Sequence, residues 1–135
     1  MKVVVDTNVL ISGVFFGGSP GRILATWRDR RITLMISPEI FDEYESAHRR
    51  LAKMHPSIDV DPILELIASE AVFVRSPPLP NPVCDDPDDD KFLACALAAG
   101  SRIVVSGDRA LRRASGFRGI EVLSPRAFVD RFLKE

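Results

Sequence analysis

The chain has 135 residues, of which 46% are hydrophobic and 27% charged, and its formal net charge is −1 at pH 7. This length suits one domain that buries its own core, so we interpret residues 1–135 as a single domain. No stretch approaches the roughly 20 consecutive apolar residues of a membrane helix. Asp6 also precedes any hydrophobic run long enough for a secretory signal, so we expect a cytoplasmic protein with no membrane association.

The first half of the chain alternates strand and helix patterns. Residues 3–5 form a continuous β-branched run, which predicts a strand buried on both faces of a parallel sheet. Residues 16–21 are rich in glycine and proline and predict a loop before a short helix at residues 22–27. Thr33–Ile36 is predicted as the second strand. Capping signals then open a helix over residues 38–53.

The middle of the chain contains two further helices, a strand and a connection. Residues 59–71 place apolar side chains at helical spacing and lead into a third strand at residues 72–74. The proline-rich residues 76–82 can continue neither a helix nor a sheet ladder, so they predict a loop. A helix over residues 91–99 then ends at Gly100, the expected residue after a helix C-cap.

The last third of the chain completes the alternation. Ile103–Val105 is predicted as the fourth strand and residues 120–123 as the fifth, with a short helix through Leu111 between them and a capped helix from Pro125. Strands that alternate with helices imply right-handed crossovers and a parallel sheet covered on both faces. The predicted fold class is α/β, a three-layer α/β/α sandwich with a central parallel sheet of about five strands.

The two cysteines indicate neither a disulfide framework nor a zinc site. Cys84 and Cys95 are too few for the first, and together with His48 and His55 they lack paired zinc-ligand spacing. We expect both cysteines to be reduced thiols.

Acidic residues occur at the carboxyl ends of the predicted strands, where parallel sheets commonly have their active sites. The carboxyl ends of parallel strands open into a common crevice, and Asp6 ends the first strand while Asp108 follows the fourth. In the helix at residues 38–53, Glu43 lies roughly 60° from the centre of the apolar stripe. The alternatives are turn or capping roles for the two aspartates and an edge position that reaches water for Glu43.

A dense acidic run gives a further candidate, because five acids occur among the six residues 85–90. Helix capping and the helix dipole explain one of them, but neighbouring like charges destabilise the fold unless a cation compensates. Asp89 and Asp90 lie in the first turn of the helix that follows. Mg²⁺ and Mn²⁺ take oxygen ligands and activate bound water for attack on phosphorus. The acids therefore predict phosphodiester hydrolysis, with a disordered acidic tip as the alternative.

The basic residues are separated from this run, although a net charge of −1 is unusual for a protein that binds nucleic acid. Such separation suits an acidic metal site ringed by phosphate-binding arginines, and ordinary solvated helix faces are the alternative. The basic groups are Arg28, Arg30 and Arg31; Arg49, Arg50 and Lys53; and Arg109, Arg112 and Arg113. We predict that the third group binds the phosphates of the substrate.

Four segments of the sequence, in order, resemble the acidic motifs of PIN domains. They are residues 3–12 with Asp6, residues 37–44 with Glu43, residues 86–93 with Asp89, and residues 105–108 with Asp108. The most similar branch contains VapC-type ribonucleases, the toxins of bacterial toxin–antitoxin systems. The resemblance implies a PIN-like fold in which these four acids are catalytic and bind the metal.

The same resemblance implies further roles. Asp89 is preferred because the family's acid lies seven residues before a small residue, matched here by Ala96, while Asp90 is an alternative or additional metal ligand and Asp86 a further acid near the site. Polar side chains that orient the carboxylates or a bound water are implied at Thr7, Asn8 and Ser106. The family also implies dependence on Mg²⁺ or Mn²⁺, a homodimer, and an antitoxin partner that supplies an arginine to the acidic pocket. It implies RNA as substrate, so the arginines predicted to bind phosphates would bind RNA; they are Arg109, Arg112 and Arg113.

Two other functions remain as alternatives. A PIN-like scaffold that binds RNA or a partner without cleavage has the same motifs. A phospho-accepting receiver domain is also a small parallel α/β fold, but the residues after the third and fifth strands, Arg75-Ser76 and Ser124-Pro125, lack its phosphorylated Asp and its Lys.

Overall fold

The structure, a computed structural model, describes residues 1–134 and contains a sheet of five parallel strands. Successive side chains of a strand point to opposite faces, yet Val3, Val4 and Val5 are all buried. Helices therefore cover both faces of the sheet, as predicted. The strands are β1 (Lys2–Val5), β2 (Thr33–Ile36), β3 (Val72–Phe73), β4 (Ile103–Val105) and β5 (Glu121–Leu123).

Seven α-helices of the described chain pack around this sheet. Tyr44, Phe92 and Phe128 are among the largest fully buried side chains of the core. The helices are α1 (Thr7–Phe15), α2 (Gly18–Arg28), α3 (Pro38–Ala52), α4 (Asp61–Glu70), α5 (Asp90–Ala99), α6 (Arg109–Arg112) and α7 (Pro125–Phe128), with a 3-10 turn at Pro87–Asp89. Within residues 1–134 no single helix is long and apolar enough to cross a membrane. Helices α1 and α2 have the necessary length and hydropathy only when taken together, and the pair is sharply bent.

The strand order is β3-β2-β1-β4-β5. The order reverses direction between β1 and β4, and in open α/β sheets ligands bind in the crevice at that point. Asp6 follows β1 there, and Ser106 follows β4. Receiver domains of the CheY type have the order 2-1-3-4-5, so the receiver-domain alternative is wrong.

Residues 7–21 differ from the prediction. Residues 7–15, for which no element was predicted, form α1, and the loop predicted at residues 16–21 is wrong because α2 begins at Gly18. The Asp6 carboxylate caps α1 by accepting a hydrogen bond from the Val9 N–H at 2.8 Å. Pro20 is tolerated in α2 because the first N–H groups of a helix have no intrahelical partner. The other element bounds agree with the prediction to within two residues.

Gly13 sets the close approach of α1 to α2. A Cβ atom at Gly13 would lie 2.8 Å from the Pro20 carbonyl oxygen, whereas one at Gly21 would meet the Gly13 carbonyl oxygen at 3.8 Å, an ordinary contact. We expect Gly13→Ala to lower the free energy of unfolding by about 1–3 kcal/mol, because the backbone contact must open. Urea unfolding measures the change, with Gly21→Ala as the control at the same interface. Equal stability of the two variants would contradict this account.

Candidate active site

A cavity of about 320 Å³ opens at the carboxyl ends of β1 and β4. Four different parts of the chain contribute its acids: the N-caps of α1 and α6, the middle of α3, and the turn before α5. All four predicted catalytic acids line this cavity, together with Thr7 and Asn8. The acids are Asp6, Glu43, Asp89 and Asp108.

Asp6 is the most deeply buried of these acids, with 5% of its surface exposed. Its carboxylate accepts hydrogen bonds from the Val9 N–H at 2.8 Å and from the Ser106 hydroxyl. Burial raises the pKa of Asp6 to about 6, against the effect of these hydrogen bonds and with a further contribution from the charges of Asp108 and Glu43. The ionised form is therefore disfavoured unless a cation is near.

Glu43 is held by donors at both carboxylate oxygens. The Thr7 hydroxyl donates to Oε2, and Lys91 Nζ lies 2.8 Å from Oε1. Lys91 also lies 3.2 Å from Asp88 Oδ1. Burial lowers the pKa of Lys91, but its hydrogen bonds to the two carboxylates outweigh burial and raise the pKa. Lys91 is thus a cation placed against the acidic cavity, which the sequence analysis did not predict.

Tyr44, the residue after Glu43, fixes α3 against the sheet. Its side chain is fully buried, and its hydroxyl donates a hydrogen bond to the Val5 backbone oxygen at the end of β1. One turn later His48 is also buried, with Nδ1 2.6 Å from the Tyr44 backbone oxygen. These buried contacts set the position of Glu43 at the cavity wall.

Ser106 links the acids at the ends of β1 and β4. Its hydroxyl donates to Asp6 and accepts from the Asp108 N–H at 3.0 Å. The Asp108 carboxylate accepts from the Ala110 N–H at 2.9 Å and caps α6. The predicted orienting positions of Thr7 and Ser106 therefore have geometric partners among the acids, and Asn8 lines the same cavity.

Asp89 and Asp90 face different surroundings. Asp89 lines the cavity, and burial, with the charges of Asp86 and the other cavity acids, raises its pKa to about 6. The Asp90 carboxylate instead accepts hydrogen bonds from the backbone N–H groups of Val83 at 3.1 Å and Cys84 at 2.7 Å. Because successive helical residues differ by about 100° in direction, the two neighbours point apart. Asp90 therefore anchors the segment that follows the proline-rich loop and does not line the cavity, and its role as an additional metal ligand stays a prediction.

The arginines predicted to bind RNA lie outside the cavity wall. Arg113 Nε donates to Asp85 at 3.0 Å, and Arg112 Nε is buried without a hydrogen-bond partner among residues 1–134. Neither these two nor Arg109 lines the cavity; Ser46 and Arg50 of α3 do. The third basic group therefore lies beside the cavity and not in its wall, and its role in RNA binding stays a prediction. The signal for Arg50 was present in the sequence, since residues 43, 46 and 50 share one helix face.

The acidic cavity has the donor chemistry for a hard divalent cation. All four acids offer oxygen ligands, as Mg²⁺ and Mn²⁺ prefer. Burial, with a smaller contribution from the charges of neighbouring acids, raises the pKa values of Asp6 and Asp89 to about 6, and a nearby cation would favour their ionised forms. In the described residues no three His, Cys, Asp or Glu side chains are arranged to hold a metal ion. Protein donors occupy both oxygens of Asp6 and of Glu43, but each carboxylate oxygen has a second lone pair. The donor chemistry of the residues therefore fits such an ion, and Lys91 would compete with it for Glu43.

Zinc chemistry does not fit this cavity. Cys84 and Cys95 are buried free thiols that do not line it, which confirms the prediction of reduced cysteines. Burial raises the pKa of each thiol to about 12, and only a thiolate binds metal.

Comparisons with known proteins place this geometry in a family. The family model of the PIN domain matches residues 2–110, a range that includes all four acids. A comparison with curated proteins finds no significant match. The solved structure of PAE2754 from Pyrobaculum aerophilum is similar with a TM-score of 0.62 at 18% identity, and the match covers 100% of this chain and 91% of that chain.

A second solved structure has the same fold. VapBC2 from Rickettsia felis, bound to a DNA fragment from its promoter, gives a TM-score of 0.61 at 13% identity over 92% of this chain and 98% of that chain. At these identities the likeness establishes the fold alone. Because the family model covers most of the chain and the four motif acids line one cavity, the protein belongs to the PIN domain family of nucleases.

Proposed function

We propose that the protein is a metal-dependent ribonuclease that hydrolyses the phosphodiester bonds of RNA. The single observation that carries the proposal is the convergence of Asp6, Glu43, Asp89 and Asp108 on one cavity. Mg²⁺ or Mn²⁺ is the cofactor, and these four acids hold it.

Each residue of the cavity has a part in this reaction. When bound, the divalent ion supplies a water of lowered pKa and neutralises charge that develops on the leaving oxygen. Ser106 and Val9 hold the Asp6 carboxylate in place, and Thr7 orients Glu43. Phe92, which is 2% exposed, contributes an apolar side chain to the lining of the cavity.

The toxin of a toxin–antitoxin pair is the biological role that we propose. The four motifs resemble those of VapC-type ribonucleases, and the VapBC2 complex shares the fold. The same resemblance supports a cognate antitoxin as partner and a homodimer.

Cleavage of a mixed RNA pool tests the proposal. We expect cleavage with Mn²⁺ or Mg²⁺, none after treatment with EDTA, and recovery when Mn²⁺ is added in excess. A DNA pool of the same lengths, run in parallel, separates RNA from DNA as substrate. Binding of RNA without cleavage in either metal would overturn the proposal and favour the non-catalytic PIN-like scaffold.

A further inference from the structure

One cation at the wall of the acidic cavity has no acidic partner. Arg50 lines the cavity on the same helix as Glu43. Seven residues separate them, which corresponds to two turns and about 10 Å along the axis, so both side chains lie on one face of α3. The exposed hydroxyl residue Ser46 lies between them on that face.

Arg50 differs from its neighbour Arg49 in its contacts. Arg49 lies 3.0 Å from Asp61 Oδ1 and 3.8 Å from Glu45 Oε2. The Arg50 guanidinium has neither a hydrogen bond nor an ion pair with any residue of the described chain, 1–134. Both arginines occupy the last turn of α3 and share the same favourable interaction with the helix dipole. The dipole therefore does not explain why only Arg50 is left unpaired beside the cavity.

The negative charge of the cavity creates a need for a positive group that binds the phosphates of the substrate. Four carboxylates bind a cation but repel the phosphates of an RNA strand, so the flanking phosphates need a separate positive group. A guanidinium presents planar paired donors that match a phosphate bidentately. Arg113, in the group predicted from sequence, is instead neutralised by Asp85.

We propose that Arg50 binds a phosphate that neighbours the scissile one and so positions the RNA strand along α3, from Glu43 towards the end of the helix. This inference rests on the proposed ribonuclease function. Arg50 is a positioning residue, because it contacts the strand and not the bond that breaks.

A binding measurement isolates this role from cleavage. Fluorescence anisotropy of a labelled single-stranded mixed-sequence RNA is recorded as a function of salt, in the Asp6→Asn background with Mg²⁺. We expect Arg50→Met to weaken binding about tenfold at low salt and to reduce the slope of log affinity against log salt by about 0.7, the loss of one phosphate contact. Arg50→Lys should restore the slope, and Arg49→Met is the matched control.

The result that overturns the inference is a slope for Arg50→Met equal to that for Arg49→Met. A change in fold alone would alter the melting temperature without a change in slope. In the wild-type background, Arg50→Met should raise KM for RNA more than it lowers kcat.

Failure of the inference and failure of the proposed function give different results. Metal-dependent cleavage by wild type with no effect of Arg50→Met removes only the Arg50 site. Binding that depends on Arg50, without cleavage by wild type, removes the ribonuclease function and leaves Arg50 as a contact to an RNA phosphate. Absence of both RNA binding and cleavage overturns both.

Discussion

Replacing Asp6 by asparagine is expected to slow RNA cleavage by about 10²- to 10⁴-fold. Asparagine keeps the shape of the side chain and still accepts the hydrogen bond from the Val9 N–H, but it removes the buried charge that binds the cation. The melting temperature should stay the same or rise, because burial already disfavours the ionised form of Asp6. Single-turnover cleavage with saturating Mn²⁺ measures the loss.

Asp42→Asn is the matched control for this prediction. Asp42 is exposed on α3 next to Glu43 and does not line the cavity, so its replacement removes the same charge from the same region of the surface. We expect cleavage by this variant within about twofold of wild type, since exposed substitutions away from a site have small effects. If the two variants cleave RNA equally well, Asp6 is not a metal ligand.

Lys91→Met is expected to have opposite effects on stability and on metal affinity. Without metal, Lys91 is the cation that pairs with Glu43 and Asp88, and its loss should lower the free energy of unfolding by about 1–2 kcal/mol, allowing for partial exposure. The affinity for Mn²⁺ should increase about tenfold, which corresponds to about 1.4 kcal/mol of relieved charge repulsion. Urea unfolding and calorimetric titration measure the two quantities.

The opposite signs make this prediction specific. A joint loss of stability and Mn²⁺ affinity would contradict the prediction. It would indicate that Lys91 positions Glu43 for metal binding and does not compete with the ion. Lys53→Met serves as the control, since Lys53 is exposed just after the end of α3 and outside the cavity.

The site acids at the ends of strands could be predicted from the sequence because the geometry of a parallel sheet is regular. Asp6 and Asp108 follow β-branched runs, so their meeting at one edge follows from strand direction alone. Glu43 was found from helical periodicity. For these residues local pattern and tertiary position agree.

Other features depend on contacts between distant parts of the chain. Nothing in the run of residues 7–15 separates a helix from a continued strand, and the first turn of α1 depends on a cap from Asp6 that also accepts from Ser106, 100 residues away. Asp89 could be preferred to Asp90 only through the family resemblance. The backbone groups that hold Asp90 belong to a loop whose path periodicity does not predict.

The arginines also show the difference between what local sequence predicts and what depends on long-range contacts. Charge grouping along the sequence identified three basic groups, and the third was chosen without knowledge of which arginines pair with acids. The choice depends on which arginines already have acidic partners, and the pairs Arg113 with Asp85 and Arg49 with Asp61 form only in the folded chain. Arg50 is selected because it lines the cavity and no such partner reaches it among the described residues.

The three consecutive aspartates at residues 88–90 have three separate tasks. Asp88 pairs with Lys91, Asp89 faces the cavity, and Asp90 anchors the loop through Val83 and Cys84. Deletion of any one of the three codons yields the same shortened protein, in which two carboxylates must serve three positions. We therefore expect this run to tolerate replacement of one aspartate better than a change of its length. Codon slippage within the run would displace the loop anchor, the partner of Lys91 or the cavity acid relative to α5.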